Sequence, residues 1–209
     1  SSMRVLLIGD TIIDEYHYCR GLGKASKENM ICTKFVSEER FAGGVLACAN
    51  HAAGFVKEVK MVTCLGAEDD KREYVLDHLK PNVDPQLFTR PDSCTVTKRR
   101  FVDPAFLDKM FEVQFFNDHP LPSELSAQVC GYLEDALPSY DMVLVSDFGH
   151  GFINKEMIEI LCRKAKFLAV NTQTNSANSG YNLITKYPRV DYICIDEPEM
   201  RYAARDKYG

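Results

Sequence analysis

Four groups of polar residues in this sequence stand where apolar runs end, and each carries side chains that can bind or react. Asp10 and Asp14 lie in GDTIIDEY, after RVLLIG. Ser146, Asp147, Gly149, His150 and Gly151 close the run MVLVSDFGHG. Asn171, Thr172, Gln173 and Thr174 follow FLAV, and Asp196, Glu197 and Glu199 follow YICI. An aspartate accepts hydrogen bonds from two hydroxyls at once, which is what binding a sugar or polyol demands. Gly43 and Gly44 stand directly before an apolar helical run, where bare backbone N–H groups approach a ligand at the positive helix end. His150, between two glycines, can donate to a phosphate whether neutral or protonated. Lys98, Arg99 and Arg100 form a basic run; in a strand, alternate members point to opposite faces, so only one face of the run can aim at a substrate.

Each feature also has a plain structural explanation. Aspartates make turns and caps, a glycine pair makes a tight loop, and a basic run guards a sheet edge. His51, beside an apolar helical stripe, reads as a structural residue. The four groups gain weight together, because ligands of open parallel sheets bind beyond the carboxyl ends of the strands.

The elements that must hold these residues follow from the hydrophobic pattern. RVLLIG, VKMVTCLG, QLFTR, DMVLVSD, KFLAVNT and DYICIDE are short apolar runs, the mark of buried strands. GGVLACANHAAGFV reads as a helix with Val45, Cys48, Ala49, Ala52 and Val56 on one stripe. DDKREYVLDHL, PSELSAQVCGYLEDAL, INKEMIEILCRKA (with Asn154 as cap) and PEMRYAARDKYG complete the helices. Alternating strand and helix predict an α/β fold with a largely parallel sheet. Two stretches break the pattern, 30–41 and 94–118, both with β-branched and aromatic residues in period-two alternation. They read as antiparallel hairpins. A small sheet built from them fits a cover over a site; Phe35, Phe41, Phe101, Phe111 and Phe115 fit a dimer contact equally well, as does packing on a core of their own.

Composition excludes several classes. The 209 residues are 45% hydrophobic and 26% charged, as in folded globular proteins. With 25 Lys+Arg against 30 Asp+Glu the net charge is −5, which argues against nucleic acid as a partner. No apolar run reaches the roughly 18–20 residues of a membrane span, so no membrane partner is expected. The eight cysteines are spread evenly without a C-x-x-C pair, and Cys64 and Cys194 lie in apolar runs. They read as reduced core residues of a cytoplasmic protein. The sequence contains neither G-x-G-x-x-G nor G-x-x-x-x-G-K-[S/T], so it carries no dinucleotide or P-loop fingerprint. Asp10 as a phosphotransferase nucleophile is disfavoured, since Asp14 lies four residues on and no tight D-x-D is present.

The set GDTIIDEY (9–16), FAGG (41–44), TVTKRRFVD (95–103), VSDFGHG (145–151) and DEPE (196–199), in that order, resembles the ribokinase/PfkB carbohydrate kinases. Within them it is most similar to the heptose-phosphate kinase domain of bifunctional sugar kinase/nucleotidyltransferases. The resemblance implies a three-layer αβα core with a β-sheet lid (about 15–42 and 94–118), within one domain over 1–209. It implies transfer of the ATP γ-phosphate to a sugar or sugar phosphate, with ATP and magnesium as cofactors of the parent protein and a homodimer formed through the lid. Asp10, Asp14, Gly43, Gly44, Lys98, Asp147 and His150 match substrate-binding positions. Asn50 lies near the position of a family asparagine that is Ala47 here, and Glu199 matches a glutamate that acts on magnesium through water. The family's catalytic aspartate sits in a GAGD turn that this sequence lacks. The chain is therefore expected to be an N-terminal portion that neither turns over alone nor holds ATP tightly. A non-catalytic module that binds a sugar phosphate is the alternative.

Overall fold

The run RVLLIG becomes β1 (Arg4–Gly9), buried at every residue after the first. An unbroken apolar run suits a strand covered on both faces. The computed structural model, which describes residues 2–69 and 71–208, places β1 inside a six-stranded sheet. Gly209, the last residue of the expected domain, lies outside the described residues, as do Ser1 and Asp70.

The chain then leaves this sheet. β2 (Thr11–Lys24) and β3 (Ile31–Gly44) form one long antiparallel hairpin. This corrects the expectation of a self-contained hairpin within 30–41. The alternation that marks a strand begins already at Thr11, and the polar segment 25–30 makes the reversal. Returning to the core, the chain forms α1 (Val45–Ala52), β4 (Glu58–Gly66), α2 (Arg72–Asp77) and β5 (Val83–Arg90). β5 starts three residues earlier than QLFTR suggests. It tolerates Pro85 because β4 is its only neighbour, so the missing N–H faces no strand. β6 (Thr97–Val102) and β7 (Lys109–Phe115) form the second hairpin, turned at 103–108 around Pro104. α3 (Ser123–Ala136), β8 (Met142–Asp147), α4 (Lys155–Lys164), β9 (Leu168–Thr172), β10 (Tyr192–Ile193) and α5 (Glu197–Ala204) complete the chain. Asn154 caps α4 as expected, accepting from the Met157 N–H at 3.0 Å.

The main sheet is parallel throughout, in the order β10-β9-β8-β1-β4-β5. Alternate residues of β1 feed two cores. Leu6 and Ile8 pack under α3 and α4, against Leu125, Val129, Leu133, Met157 and Leu161. Leu7 packs on the opposite side against Val45, Leu46 and Ala49 of α1 and Val75 of α2. These are the three layers. The inward face of α1 differs from the expected stripe: Leu46 is buried and Cys48 is exposed. On that side β8–β10 face an apolar trough lined by Leu144, Ala169, Val170 and Tyr192. All eight cysteines are free. Cys19 is buried and burial pushes the Cys64 thiol up to about 12, but Cys48 and Cys194 are exposed, against the core reading. β10 holds two ladder residues only, too few to bury Cys194.

The second sheet, β3-β2-β6-β7, is the lid. β2 runs into it straight from the end of β1, and the junction is pinned. The Thr11 hydroxyl donates to Thr63 of β4 at 2.8 Å, and Thr63 donates to the Gly9 carbonyl at 2.8 Å. At the other end of the hairpin, Gly44 takes φ +57 as the cap of α1, and a Cβ there would lie 2.3 Å from the Asp10 carbonyl oxygen. Gly44→Ala is expected to cost about 3 kcal/mol in urea unfolding, from backbone strain plus overpacking. Gly131→Ala, in mid-α3 where a Cβ would meet nothing within 4 Å, is expected to gain about 0.5–1 kcal/mol.

Candidate substrate site

Asp10 is the first residue beyond β1 and is 3% exposed. Its carboxylate accepts the Phe148 N–H at 2.9 Å and also faces the His150 N–H. Burial nevertheless lifts its pKa from 3.8 to about 7; the nearby Asp147 adds to the rise, and the backbone N–H groups and Lys186 do not offset it. Near neutrality Asp10 therefore exists both as an acceptor and as a neutral acid able to donate. A carboxyl so buried and so bound is poorly suited to act as a nucleophile.

Asp14 stands four residues on, inside β2. Its carboxylate is held by Arg100 Nη1 at 2.5 Å, and Arg100 also pairs with Glu112 at 2.8 Å. The other oxygen lies over Gly43, where a Cβ would sit 2.1 Å away. Gly43 thus makes room for the carboxylate, and Gly44 makes room for the Asp10 backbone. Lys98 lies in register opposite Asp14 on β6. Pairing in register puts both on one face of the lid, together with Arg100. Arg99 points to the other face and binds Glu15 at 2.7 Å. The basic run is thus split by face as the strand period requires, but β6 is an inner strand of the lid and not a guarded edge. Lys98 has no ion-pair partner among the described residues. Burial draws its pKa below the ordinary value, with Asp14 and Asp10 among the charges acting against that fall.

His150 occupies the turn after β8, between Gly149 at φ +67 and Gly151 at φ +89. It is 3% exposed, and neither ring nitrogen has a hydrogen-bond partner. Burial, and then Lys98, push its pKa down to about 4, so the ring is neutral at pH 7. It lines a small hollow of about 30 Å³ with Asp10, Thr11, Arg90, Thr95 and Asn117. Asp14 opens instead on a groove under the lid with Tyr16, Tyr18 and Phe41. Lys98 lies within electrostatic reach of Asp14, Asp10 and His150 and so links the hollow to the groove, although the four residues come from three separate segments.

Three expected site residues stand elsewhere. Asp147 is 1% exposed, and its oxygens are taken by the Gly149 N–H at 3.0 Å, by Tyr187 Oη at 2.6 Å and by Lys186 Nζ at 2.6 Å. It braces the turn from behind and leaves no oxygen free for substrate. Asn50 is turned to the start of β5, where its amide donates to the His78 carbonyl at 2.7 Å and accepts the Lys80 N–H at 2.8 Å. Its donor and its acceptor are thus both spent on the loop between α2 and β5. Glu199 forms a capping box with Asp196 and also accepts the Thr174 N–H at 2.8 Å. Its two oxygens each accept one backbone N–H, which anchors the side chain at the start of α5. Among the described residues no cluster of three or more His, Cys, Asp or Glu suits a metal ion.

Sequence reasoning missed Arg90, Lys186 and Tyr187. Arg90 is 5% exposed, bound to Asp92 at 2.9 Å and to the Asn117 carbonyl at 3.0 Å beside the His150 hollow. Its place at the end of a strand was the available signal. Lys186 and Tyr187 lie in a loop with no motif, and nothing local marks them as partners of Asp147.

No protein-family model matches the chain. Among curated proteins it is similar to the bifunctional protein HldE of Shewanella sp. (strain ANA-3), 26% identical over 87% of this chain and 38% of that protein. It is also similar to the HldE of Nitrobacter winogradskyi, 27% identical over 86% of this chain. The chain spans about 38% of the length of these relatives. Among solved structures, a carbohydrate kinase from Agrobacterium tumefaciens superposes with TM-score 0.68 at 17% identity, over 96% of this chain and 63% of that one. Phosphofructokinase-2 from Escherichia coli in complex with fructose-6-phosphate does so with TM-score 0.68 at 9% identity, over 99% and 66%. The chain thus has the ribokinase-like fold of the PfkB carbohydrate kinases, and its sequence resembles HldE over most of its length.

The raised pKa of Asp10 has a thermodynamic signature. A carboxyl that holds its proton more tightly when folded adds stability at low pH, and that stability is lost as pH rises from about 4 to about 7. Asp10→Asn removes the cost of burying the charge while keeping an acceptor for the Phe148 N–H. It is expected to be more stable than the wild type by about 2 kcal/mol at pH 8. At pH 4 the gain is expected to vanish, as read by urea unfolding at the two pH values.

Proposed function

We propose that this chain is the substrate-binding part of an ATP-dependent sugar kinase whose substrate is a sugar phosphate of the heptose class. The observation that carries this reading is the meeting of Asp10 and Asp14 with Lys98 and His150 over the Gly43–Gly44 step into α1. Aspartates paired with backbone glycines suit the hydroxyls of a sugar. A partly buried, unpaired lysine beside a neutral histidine with free ring nitrogens suits an anionic end. The likeness to HldE and to carbohydrate kinases points the same way.

In this reading Asp14, fixed by Arg100, accepts one sugar hydroxyl. Asp10 accepts or donates at a second, according to its proton. Lys98 and one N–H of His150 meet the phosphate, and the lid keeps water from the seam. ATP, when bound to the parent protein, supplies the phosphoryl group. The base for the attacking hydroxyl is assigned to a residue outside this chain, which has no GAGD turn, so the chain by itself is expected not to turn over.

A thermal-shift titration with sugars, sugar phosphates and ATP–magnesium tests this. A sugar phosphate at a hundred times its dissociation constant adds about 2.7 kcal/mol, and Asp14→Ala and Lys98→Ala are expected to abolish the shift. No response to any sugar, or a response to ATP alone, overturns the reading.

The outer face of the lid supports a homodimer in the same proposal. Phe35 and Phe111 are 54% and 53% exposed there, around Phe101 and His17. Beneath them the buried Glu15 is neutralised by Arg99 and Arg40. An aromatic patch over a closed ion cluster suits a second copy of itself. In light scattering the chain is expected at twice its monomer mass, and Phe111→Glu at the monomer mass; a monomeric wild type removes the dimer.

A further inference from the structure

We propose that Asn178, together with Asn175 and Asn182, is a positioning residue that aims His150 and the Phe148 N–H at the site, a role that rests on the sugar-phosphate reading above. The ring of His150 is buried with both nitrogens unbound. Its one aromatic neighbour is Phe116, with ring centroids 5.3 Å apart. No hydrogen bond of its own fixes the ring, so its direction is set by the backbone of the turn that carries it.

That backbone is held from one side by asparagine amides. The Phe148 carbonyl accepts from Asn175 Nδ2 at 2.8 Å and from Asn178 Nδ2 at 2.9 Å. Asn178 Nδ2 also lies 3.3 Å from the Gly149 carbonyl. The Asp147 carbonyl accepts from Asn182 Nδ2 at 2.8 Å and from the Gln173 N–H at 2.8 Å. With the carbonyls engaged on one side, the Phe148 and His150 N–H groups face the other, where Asp10 receives them. The approach is close: a Cβ on Gly149 would sit 2.3 Å from Asn178 Nδ2. A short neutral amide suits this place, because it donates to two carbonyls at once without adding charge beside Asp10 and Asp147.

Asn178→Asp tests the role, since it keeps the shape and turns the donor into an acceptor facing two carbonyl oxygens. Two readouts are taken on the full chain. One is the ring Cε1–H cross-peak of His150 in ligand-free protein, assigned by its loss in His150→Gln. The other is affinity for sedoheptulose 7-phosphate as the probe. The expected result is a displaced His150 peak and an affinity lower by about tenfold, with Tm within about 3 °C of wild type. Asn178→Gln, which retains the amide, is expected to bring the peak back toward its wild-type position. Should Asn178→Asp not fold, Asn178→Ser is read in the same way. A His150 peak unmoved by loss of the amide overturns the proposal. A wild type that ignores the probe and every other sugar phosphate of the thermal-shift panel overturns the sugar-phosphate reading instead, and the ligand-free peak still decides whether Asn178 positions His150.

Discussion

Asp10 is the residue on which the architecture of the site depends. Its N–H donates to the Ser146 carbonyl of β8 at 3.3 Å, and its carbonyl accepts the Val45 N–H that begins α1 at 2.9 Å. Its carboxylate accepts the Phe148 N–H. One residue therefore links the end of β1, the start of α1 and the turn after β8, and the lid strand departs directly from it. Because it is almost wholly buried, its charge is disfavoured: burial, with the neighbouring Asp147, outweighs the two backbone donors and Lys186.

Around this point the glycines, the lid and the turn answer to one another. Gly43 admits the Asp14 carboxylate and Gly44 admits the Asp10 backbone, so the two acidic side chains and the two glycines form one packed unit. The lid brings Lys98 and Arg100 to the same face as Asp14 because β2 and β6 run parallel in register. The turn brings His150 to Asp10 because Asp147 is itself gripped by Lys186 and Tyr187. Burial holds the Tyr187 hydroxyl, and the adjoining Asp147 carboxylate helps hold it, well above its ordinary pKa, so it stays a proton donor.

The charges divide by layer. On the lid's outer face Glu15 is closed off by Arg99, Arg40 and His17. Burial works to raise its pKa, but the Arg99 hydrogen bond and the neighbouring positive charge keep it below the ordinary value. On the inner face Asp14 has Arg100, while Lys98 and His150 are left unpaired. On the outer face both Glu15 oxygens meet an arginine, whereas on the inner face Lys98 and the His150 ring have no partner among the described residues.

The sequence by itself determined the parallel core, because continuous apolar runs alternating with amphipathic helices admit few other arrangements. It also drew attention to Asp10, Asp14 and His150, which follow apolar runs, and to the glycine pair, which precedes one. It did not mark the full extent of β2, because the alternation that starts at Thr11 gives way to polar residues and glycines after Cys19. Nor could it show that the side chains of Asp147, Asn50 and Glu199 are engaged by other parts of the fold. Whether a polar side chain is free or spent depends on partners 28 to 40 residues away for Asn50 and Asp147 and on a loop 25 residues away for Glu199. Residue type and spacing are local properties, whereas hydrogen-bond satisfaction is a property of the folded neighbourhood. Only the tertiary structure decided which of these polar groups remain open to a substrate.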